Sequence, residues 1–331
     1  MTGRLTYRLY QDSDLPGLLR LWESTKLGAL SPELWRQRYV DAPHGPSLIS
    51  VAVDENGDVA GHLVFTPSCV TLGAREVSAL SLSAGVLRKD LSRVPLHSTE
   101  HPIFGLYRVG EEAALAGGYS LWYSLPRRAW LPMVPLLSRF AGRDIAVAEY
   151  DCVGSALVQV PPGPAKETRF LIARLAKGFG AQYEALWRSA KESFPIDCGV
   201  VRSPNWLGYN NKRYLTIEVQ DKRDGMLAGY AMIRTQPPLL EDILAREPSE
   251  LYLVLSAALD WLALREGEAV TGGLCRLDAM ETPALRPALR ALGFTPVSYR
   301  FAFVCAALDP SIPVEAITPE RWYVTPVDHG Q

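Results

Sequence analysis

Two histidines, a glutamate and three basic residues share one loop of this sequence. His97, Glu100 and His101 lie in LRKDLSRVPLHSTEHP, behind Arg88, Lys89 and Arg93. An imidazole near its ordinary pKa can take or give a proton at neutral pH, and Glu76 and Glu100 are the nearest carboxylates able to do the same. The stretch that must position them is Val77–Pro126. Val77–Val86 is a run of apolar and small residues with strand character, and Ile103–Ala116 carries apolar residues at helical spacing. Pro102 suits a first helical turn, Gly117-Gly118 stops the helix, and Tyr119–Leu125 reads as a short aromatic strand. A strand feeding a helix N-terminus is an anion site, because the first helical N–H groups have no partner. This unit is therefore a candidate cradle for a phosphate or pyrophosphate.

Composition narrows the classes. A net charge of −2 with mixed signs leaves no basic footprint for nucleic acid. The five cysteines, Cys69, Cys152, Cys198, Cys275 and Cys305, form no C-x-x-C pair and read as reduced thiols of a cytoplasmic protein. The five histidines lack metal-ligand spacing, so no metal site is expected. MTGRLTYRLYQDSD turns polar too early for a signal peptide, and LYLVLSAALDWLAL is broken by Asp260, so no transmembrane segment is expected. WYSLPRRAWLPMVPLL mixes Trp, Arg and aliphatics; a core helix with a rim arginine pair is the plain reading, and peripheral contact with a lipid or long acyl chain the other.

The surrounding elements repeat. LPGLLRLWESTK is answered by the helix AQYEALWRSAK, SPELW by SPNW, and ISVAVDENGDVAGHLVF by TIEVQDKRDGMLAGYAMI. Gly57 and Gly61 recur 168 residues on as Gly225 and Gly229, and His62 is answered by Tyr230. A repeat near half the chain length marks a duplicated domain. VPPGPAKE separates the copies, with the break at Pro161–Lys166 and domains over 1–160 and 167–331. In the second copy QPPLLEDILAREPSE reads as an acidic loop between strand and helix, and GEAVTGGLCR as a strand.

The element order, strand–helix–helix–hairpin–strand–loop–helix–strand–helix–strand, resembles the GNAT (GCN5-related N-acetyltransferase) fold. The duplicated form is similar to tandem GNAT proteins, including Fem-type and Eis-like relatives. Four stretches carry the resemblance: YRLYQDSDLPGLLRLWE, LWRQRYVDAPHGPSLISVAVDENGDVAGHLVFTP, ALGF ahead of a last strand, and the tail ERWYVTPVDHG. It implies an α+β (mixed α/β) protein of two tandem domains, each a mixed, mostly antiparallel sheet flanked by helices. It further implies acyl-CoA, acetyl or longer, lying between a splayed fourth and fifth strand. Pyrophosphate would sit on Q/R-x-x-G-x-G/A at the helix start. Here that place is Thr99–Gly105, where Glu100 has the wrong charge, Pro102 lacks an N–H and only Gly105 remains, so the grip should be weak or non-standard.

On this resemblance the donor-binding residues are Ala84, Gly85, Val86, Leu87, Arg88, Phe104 and Gly105. The backbone of the first four would polarise the thioester carbonyl. His101 or Glu100 would deprotonate the amine, and Tyr123 would protonate the leaving thiolate. Trp35, Tyr39, His62 and Trp122 would line the acceptor groove, packing being the alternative for each. The implied activity is N-acyl transfer to a small-molecule amine or lipid-like acceptor, with the site in the first copy. A catalytically silent ligand-binding or interaction module, and Fem-like aminoacyl transfer, are the other readings.

Overall fold

The structure, a computed structural model, describes residues 4–25, 28–95, 98–156, 169–194, 196–265 and 276–328. The expected break at 161–166, and nearly all of the strand expected over 267–276, lie outside them. The first half carries β1 (Thr6–Leu9), α1 (Leu15–Glu23), α2 (Pro32–Tyr39), β2 (Leu48–Val53), β3 (Val59–Leu72), β4 (Arg75–Leu87), α3 (Ile103–Ala116), β5 (Leu121–Ser124), α4 (Val134–Ala141) and β6 (Ala146–Ala156). The second carries β7 (Leu171–Leu175), α5 (Ala181–Ser193), β8 (Cys198–Val200), α6 (Pro204–Asn211), β9 (Leu215–Asp221), β10 (Leu227–Thr235), β11 (Pro238–Ala245), α7 (Leu251–Ala263), β12 (Arg276–Glu281), α8 (Arg286–Ala291), β13 (Thr295–Ala307) and β14 (Trp322–Tyr323).

Local chemistry sets the boundaries twice over. Ser31 Oγ accepts the Leu34 N–H at 3.1 Å to cap α2, and Ser203 Oγ accepts the Trp206 N–H at 3.2 Å to cap α6. Gly57 and Gly225 take positive φ, 84° and 71°, in the turns joining β2 to β3 and β9 to β10. Beyond the following hairpins the Arg88 N–H donates to Ala60 O at 2.8 Å and the Arg246 N–H to Ala228 O at 3.1 Å. The two halves are thus copies at the level of single hydrogen bonds. The offset falls from 168 to 158 residues because β3 (14 residues) and β4 (13) outlast β10 (9) and β11 (8) by five residues each.

The chain divides into two compact units: 1–148 with 302–319 and 328–331, and 149–301 with 320–327. The first unit's sheet runs β1-β2-β3-β4-β5 and ends on the second half of β13, where Val304 faces Ser124. The second unit's runs β7-β9-β10-β11-β12 and ends on β6, where Met280 faces Cys152. Along these paths each sheet is antiparallel except at its fourth and fifth strands, β4/β5 and β11/β12, which are parallel; off the path, the short β8 and β14 of the second unit also pair in parallel. The halves have therefore exchanged their sixth strands.

In the first unit α1 and α2 cover one face through Leu18, Trp22, Trp35, Val51 and Val64. Helices α3 and α4 cover the other through Phe65, Leu80, Leu106, Trp122 and Leu137. In the second unit neighbouring residues of β10 divide the faces: Gly229 lies under Val254 of α7, and the Tyr230 ring is 6.0 Å from Tyr183 of α5.

QPPLLEDILAREPSE is not a loop. Residues 238–245 form β11, the counterpart of β4. Glu241 and Asp242 look like surface residues in the sequence but are buried in the strand, where Arg202 pairs with Asp242 and Arg234 lies beside Glu241.

Candidate functional site

The fourth and fifth strands of the first unit part company. β4 and β5 pair only at Ala79↔Leu121, Leu80↔Trp122 and Ser81↔Tyr123. One further tie, Ser124 Oγ to Leu82 O at 2.6 Å, closes the vertex. β4 then follows β3 alone to Leu87. On the way its register slips, from Val64↔Ser83 to His62↔Val86, which puts a bulge at Ala84–Gly85. A bulge leaves one residue out of the ladder and re-aims its backbone groups. Gly85, exposed in mid-strand, faces Leu63 and Ile103, whose nearest atoms would lie 3.5 and 3.6 Å from an added Cβ. A wedge with an irregular wall thus opens toward the N-terminus of α3, with Val86 and Leu87 buried behind it.

The expected pyrophosphate cradle is already filled from within the chain. His101 is enclosed, and its Nδ1 accepts the Ile103 N–H at 3.3 Å. His101 O takes the Phe104 N–H and Pro102 O the Leu106 N–H, each at 3.1 Å. The Tyr7 ring lies on Gly105, so that glycine serves close packing of α3 against β1. The Phe104 ring sits 5.2 Å from Phe140 of α4. Burial pushes the His101 pKa down, and the Nδ1 lone pair a base would use is committed to the helix cap. Glu100 is exposed in the preceding turn, its N–H on Ser98 Oγ at 3.2 Å. Arg88 is held by Asp54 at 2.7 Å and Asp90 at 2.9 Å. His97 lies outside the described residues.

The residues expected to line an acceptor groove are packed inside. Trp35 and Tyr39 meet at 4.6 Å, and Trp35 stands edge-on to His62 at 5.8 Å. Trp22 Nε1–H donates to His62 Nε2 at 2.8 Å, which leaves the imidazole proton on Nδ1. Full burial pushes the His62 pKa down to about 3, so this ring is neutral. Trp122 Nε1–H donates to Tyr107 OH at 3.0 Å, which donates to Glu111 at 2.9 Å, and Glu111 pairs with Arg143 at 2.7 Å. That chain pins α3 to β5 inside the core. His44 and Glu76 are exposed, Glu76 beside Cys69 Sγ at 3.6 Å.

Tyr123 lies at the vertex. Its OH donates to Ser68 Oγ at 3.0 Å. Opposite it, Ser81 Oγ donates to the main-chain oxygen of Asp328, itself buried, at 3.2 Å. Ser83, two residues on and so on the same face, buries a hydroxyl with no hydrogen-bond partner. Four hydroxyls and the Asp328 segment therefore collect where the wedge begins, on the face opposite α3. Sequence reasoning missed Ser68, Ser81, Ser83 and Asp328. The alternation of serine and leucine in LSLSAG was the signal, since it puts two hydroxyls on one face of an otherwise apolar strand.

The second unit repeats the geometry with other chemistry. β11 and β12 pair only at Leu239↔Asp278 and Leu240↔Ala279, and β11 bulges against β10 between Leu240 and Asp242. Arg246, the counterpart of Arg88, is held by Asp224 at 2.9 Å, Glu250 at 3.0 Å and Asp221 at 3.5 Å. Among the described residues no group of His, Cys, Asp and Glu could hold a metal ion, and no helix is long and apolar enough to cross a membrane.

No protein-family model matches the sequence, and no curated protein matches it. Solved structures do match in fold. A GCN5-related N-acetyltransferase from Anabaena variabilis superposes with a TM-score of 0.62 at 12% identity, over 92% of this chain and 73% of its own. A tandem GNAT protein from the clavulanic acid biosynthesis pathway gives 0.56 at 16%, over 93% and 100%. Eis1 from Mycobacterium abscessus gives 0.56 at 13%, over 92% and 74%. The chain has the GNAT fold, twice, in tandem.

Proposed function

We propose that the chain transfers an acyl group from a pantetheine thioester, acyl-CoA in the first instance, to an amine, at the wedge of the first unit. The observation that carries this reading is the parting of β4 from β5 beside a bulge, with hydroxyls gathered at the vertex. Unpaired strand backbone at the bulge can donate to a thioester oxygen as charge develops on it. The hydroxyls of Ser68, Ser81, Ser83 and Tyr123 suit a small polar amine, and the Tyr123 phenol is the vertex group able to return a proton to the departing sulfur. The test is thiol release from acetyl-CoA with hydroxylamine as a generic amine acceptor. Thiol release that requires the protein and falls in Tyr123→Phe supports the reading; none from any pantetheine thioester rejects it.

A second reading has an observation of its own. The first turn of α3 is capped from within, as it would be in a module that has given up CoA and binds another ligand or a partner. Calorimetry separates the two, since such a module binds no thioester donor.

A further inference from the structure

A donor that ends in a pyrophosphate needs backbone donors to seat it. The first turn of α3 has committed the N–H groups of Ile103, Phe104 and Leu106, Pro102 has none, and the Tyr7 ring covers Gly105. Positive charge nevertheless flanks the wedge on both sides. β4 runs out into Lys89 and Arg93, both exposed, while Arg88 is neutralised by Asp54 and Asp90. β5 runs out at the same end into Arg127 and Arg128, also exposed, and Trp130 just beyond stands edge-on to His101 at 6.1 Å. Glu100 is an exposed acid on the β4 side. Four exposed cations therefore rim a slot whose inner end does not seat a pyrophosphate.

That combination suits a thin arm brought in by a partner. Resting on the acyl-transfer reading, we propose that the donor is an acyl thioester on the phosphopantetheine arm of a small acidic carrier protein. The arm has a single phosphodiester and needs no helix N-terminus. The carrier's acidic surface would meet Lys89, Arg93, Arg127 and Arg128, so that docking energy comes from charge complementarity rather than from a phosphate cradle. The reaction balances without a further reagent. The neutral amine attacks the thioester carbonyl carbon; the C–N bond forms and the C–S bond breaks. The amine proton ends on the sulfur, leaving an amide and the free thiol of the carrier.

The full chain is titrated calorimetrically with acetyl-CoA and with an acetyl-phosphopantetheinyl acyl carrier protein, and thiol release to hydroxylamine is followed for both. The carrier should bind at least about tenfold more tightly than acetyl-CoA at low salt and lose that advantage as salt rises. Arg127→Glu with Arg128→Glu should lower carrier affinity about tenfold or more and leave acetyl-CoA unaffected. Lys89→Glu with Arg93→Glu makes the same test from the other lip if the first pair fails to fold. Acetyl-CoA binding as tightly as the carrier, with thiol release, overturns the carrier assignment and keeps the transferase. Carrier binding indifferent to both lips also overturns it. Thiol release from neither donor removes the transferase reading, and this inference with it.

Discussion

On the sheet face that carries its first two helices, each unit fills equivalent positions differently. Val51 in β2, opposite His62, is replaced by Glu218 in β9, opposite Tyr230; His62 in β3 by Tyr230 in β10; and Ser83 in β4, opposite Val64, by Asp242 in β11, opposite Met232. The first unit builds this face from an apolar side chain, a neutral ring and a hydroxyl. The second builds it from ions that bind one another. Glu218 accepts from Arg174 at 2.5 Å and Tyr183 at 2.8 Å. Asp242 accepts from Tyr230 at 2.6 Å, Thr325 at 2.8 Å and Arg202 at 3.2 Å. Arg202, 1% exposed, is ringed by Trp206 at 5.0 Å, Tyr323 at 5.4 Å and Trp187 at 5.8 Å. Duplication kept the backbone and let the interior diverge. One copy tied Glu218 and Asp242 to cations and hydroxyls, whereas the other left the Ser83 hydroxyl unspent at the vertex, where a ligand could use it.

The largest effect expected from this contrast is at Arg202. Replacing it with Met leaves the Asp242 charge buried without its cation, at a cost of about 3–5 kcal/mol. The equivalent cut in the first unit, Trp22→Phe, removes one neutral donor from His62 and should cost about 1–3 kcal/mol. Urea unfolding of the two variants decides it. Equal costs would mean that the ionic network is not what sets the units apart. Adding Asp242→Asn to Arg202→Met should recover part of the loss, because no uncompensated charge then remains.

Glu241 is the exception within the second unit's network. Arg234 Nε lies 3.1 Å from its carboxylate, but the geometry is not that of a hydrogen bond. Burial pushes the Glu241 pKa up to about 7. An acid whose folded pKa lies above its unfolded value near 4.5 is held protonated by the fold. Stability should then decline as pH rises from about 4.5 to about 7 and level off above. Glu241→Gln removes that slope, with a gain of about 3 kcal/mol at pH 8 and little at pH 4. Melting curves at the two pH values test it, and a gain equal at both would show that Arg234 already holds the ion.

Much of this arrangement could be read from the sequence, and the remainder was hidden for identifiable reasons. Caps and turns such as Ser31, Ser203, Gly57 and Gly225 are local, so spacing revealed them and the duplication with them. β11 reads as a loop in the sequence because Glu241 and Asp242 carry the signature of solvated residues, and only partners 40 residues or more from Asp242, such as Arg202 and Thr325, make a buried strand of it. The exchange of β6 and β13 leaves no local mark, since a strand reads alike whichever sheet it joins. At the site, His101, Arg88 and Gly105 have the types that donor binding calls for. Their neighbours Ile103, Asp54 and Tyr7 engage them first.

The smallest expected effect is at His101, and it bears on why the first unit's helix differs from a phosphate cradle. A neutral imidazole caps α3 by accepting the Ile103 N–H, and burial holds its pKa below the ordinary value. For a histidine with a depressed folded pKa, the stabilisation is present above the unfolded pKa of about 6.5 and is lost as pH falls below it. His62, with its pKa near 3, adds a larger loss of the same sign. The cap is therefore read as a difference between variant and parent. His101→Ala should cost about 1 kcal/mol at pH 8, the worth of a helix cap, and less at pH 5, where the parent cap is itself weakened. It should also free the Ile103 N–H, so acetyl-CoA should bind slightly better to the variant than to the parent. A variant equally destabilised at both pH values, with unchanged affinity, would make His101 a packing residue, and the closure of the first turn would then rest on Pro102 and Tyr7 alone.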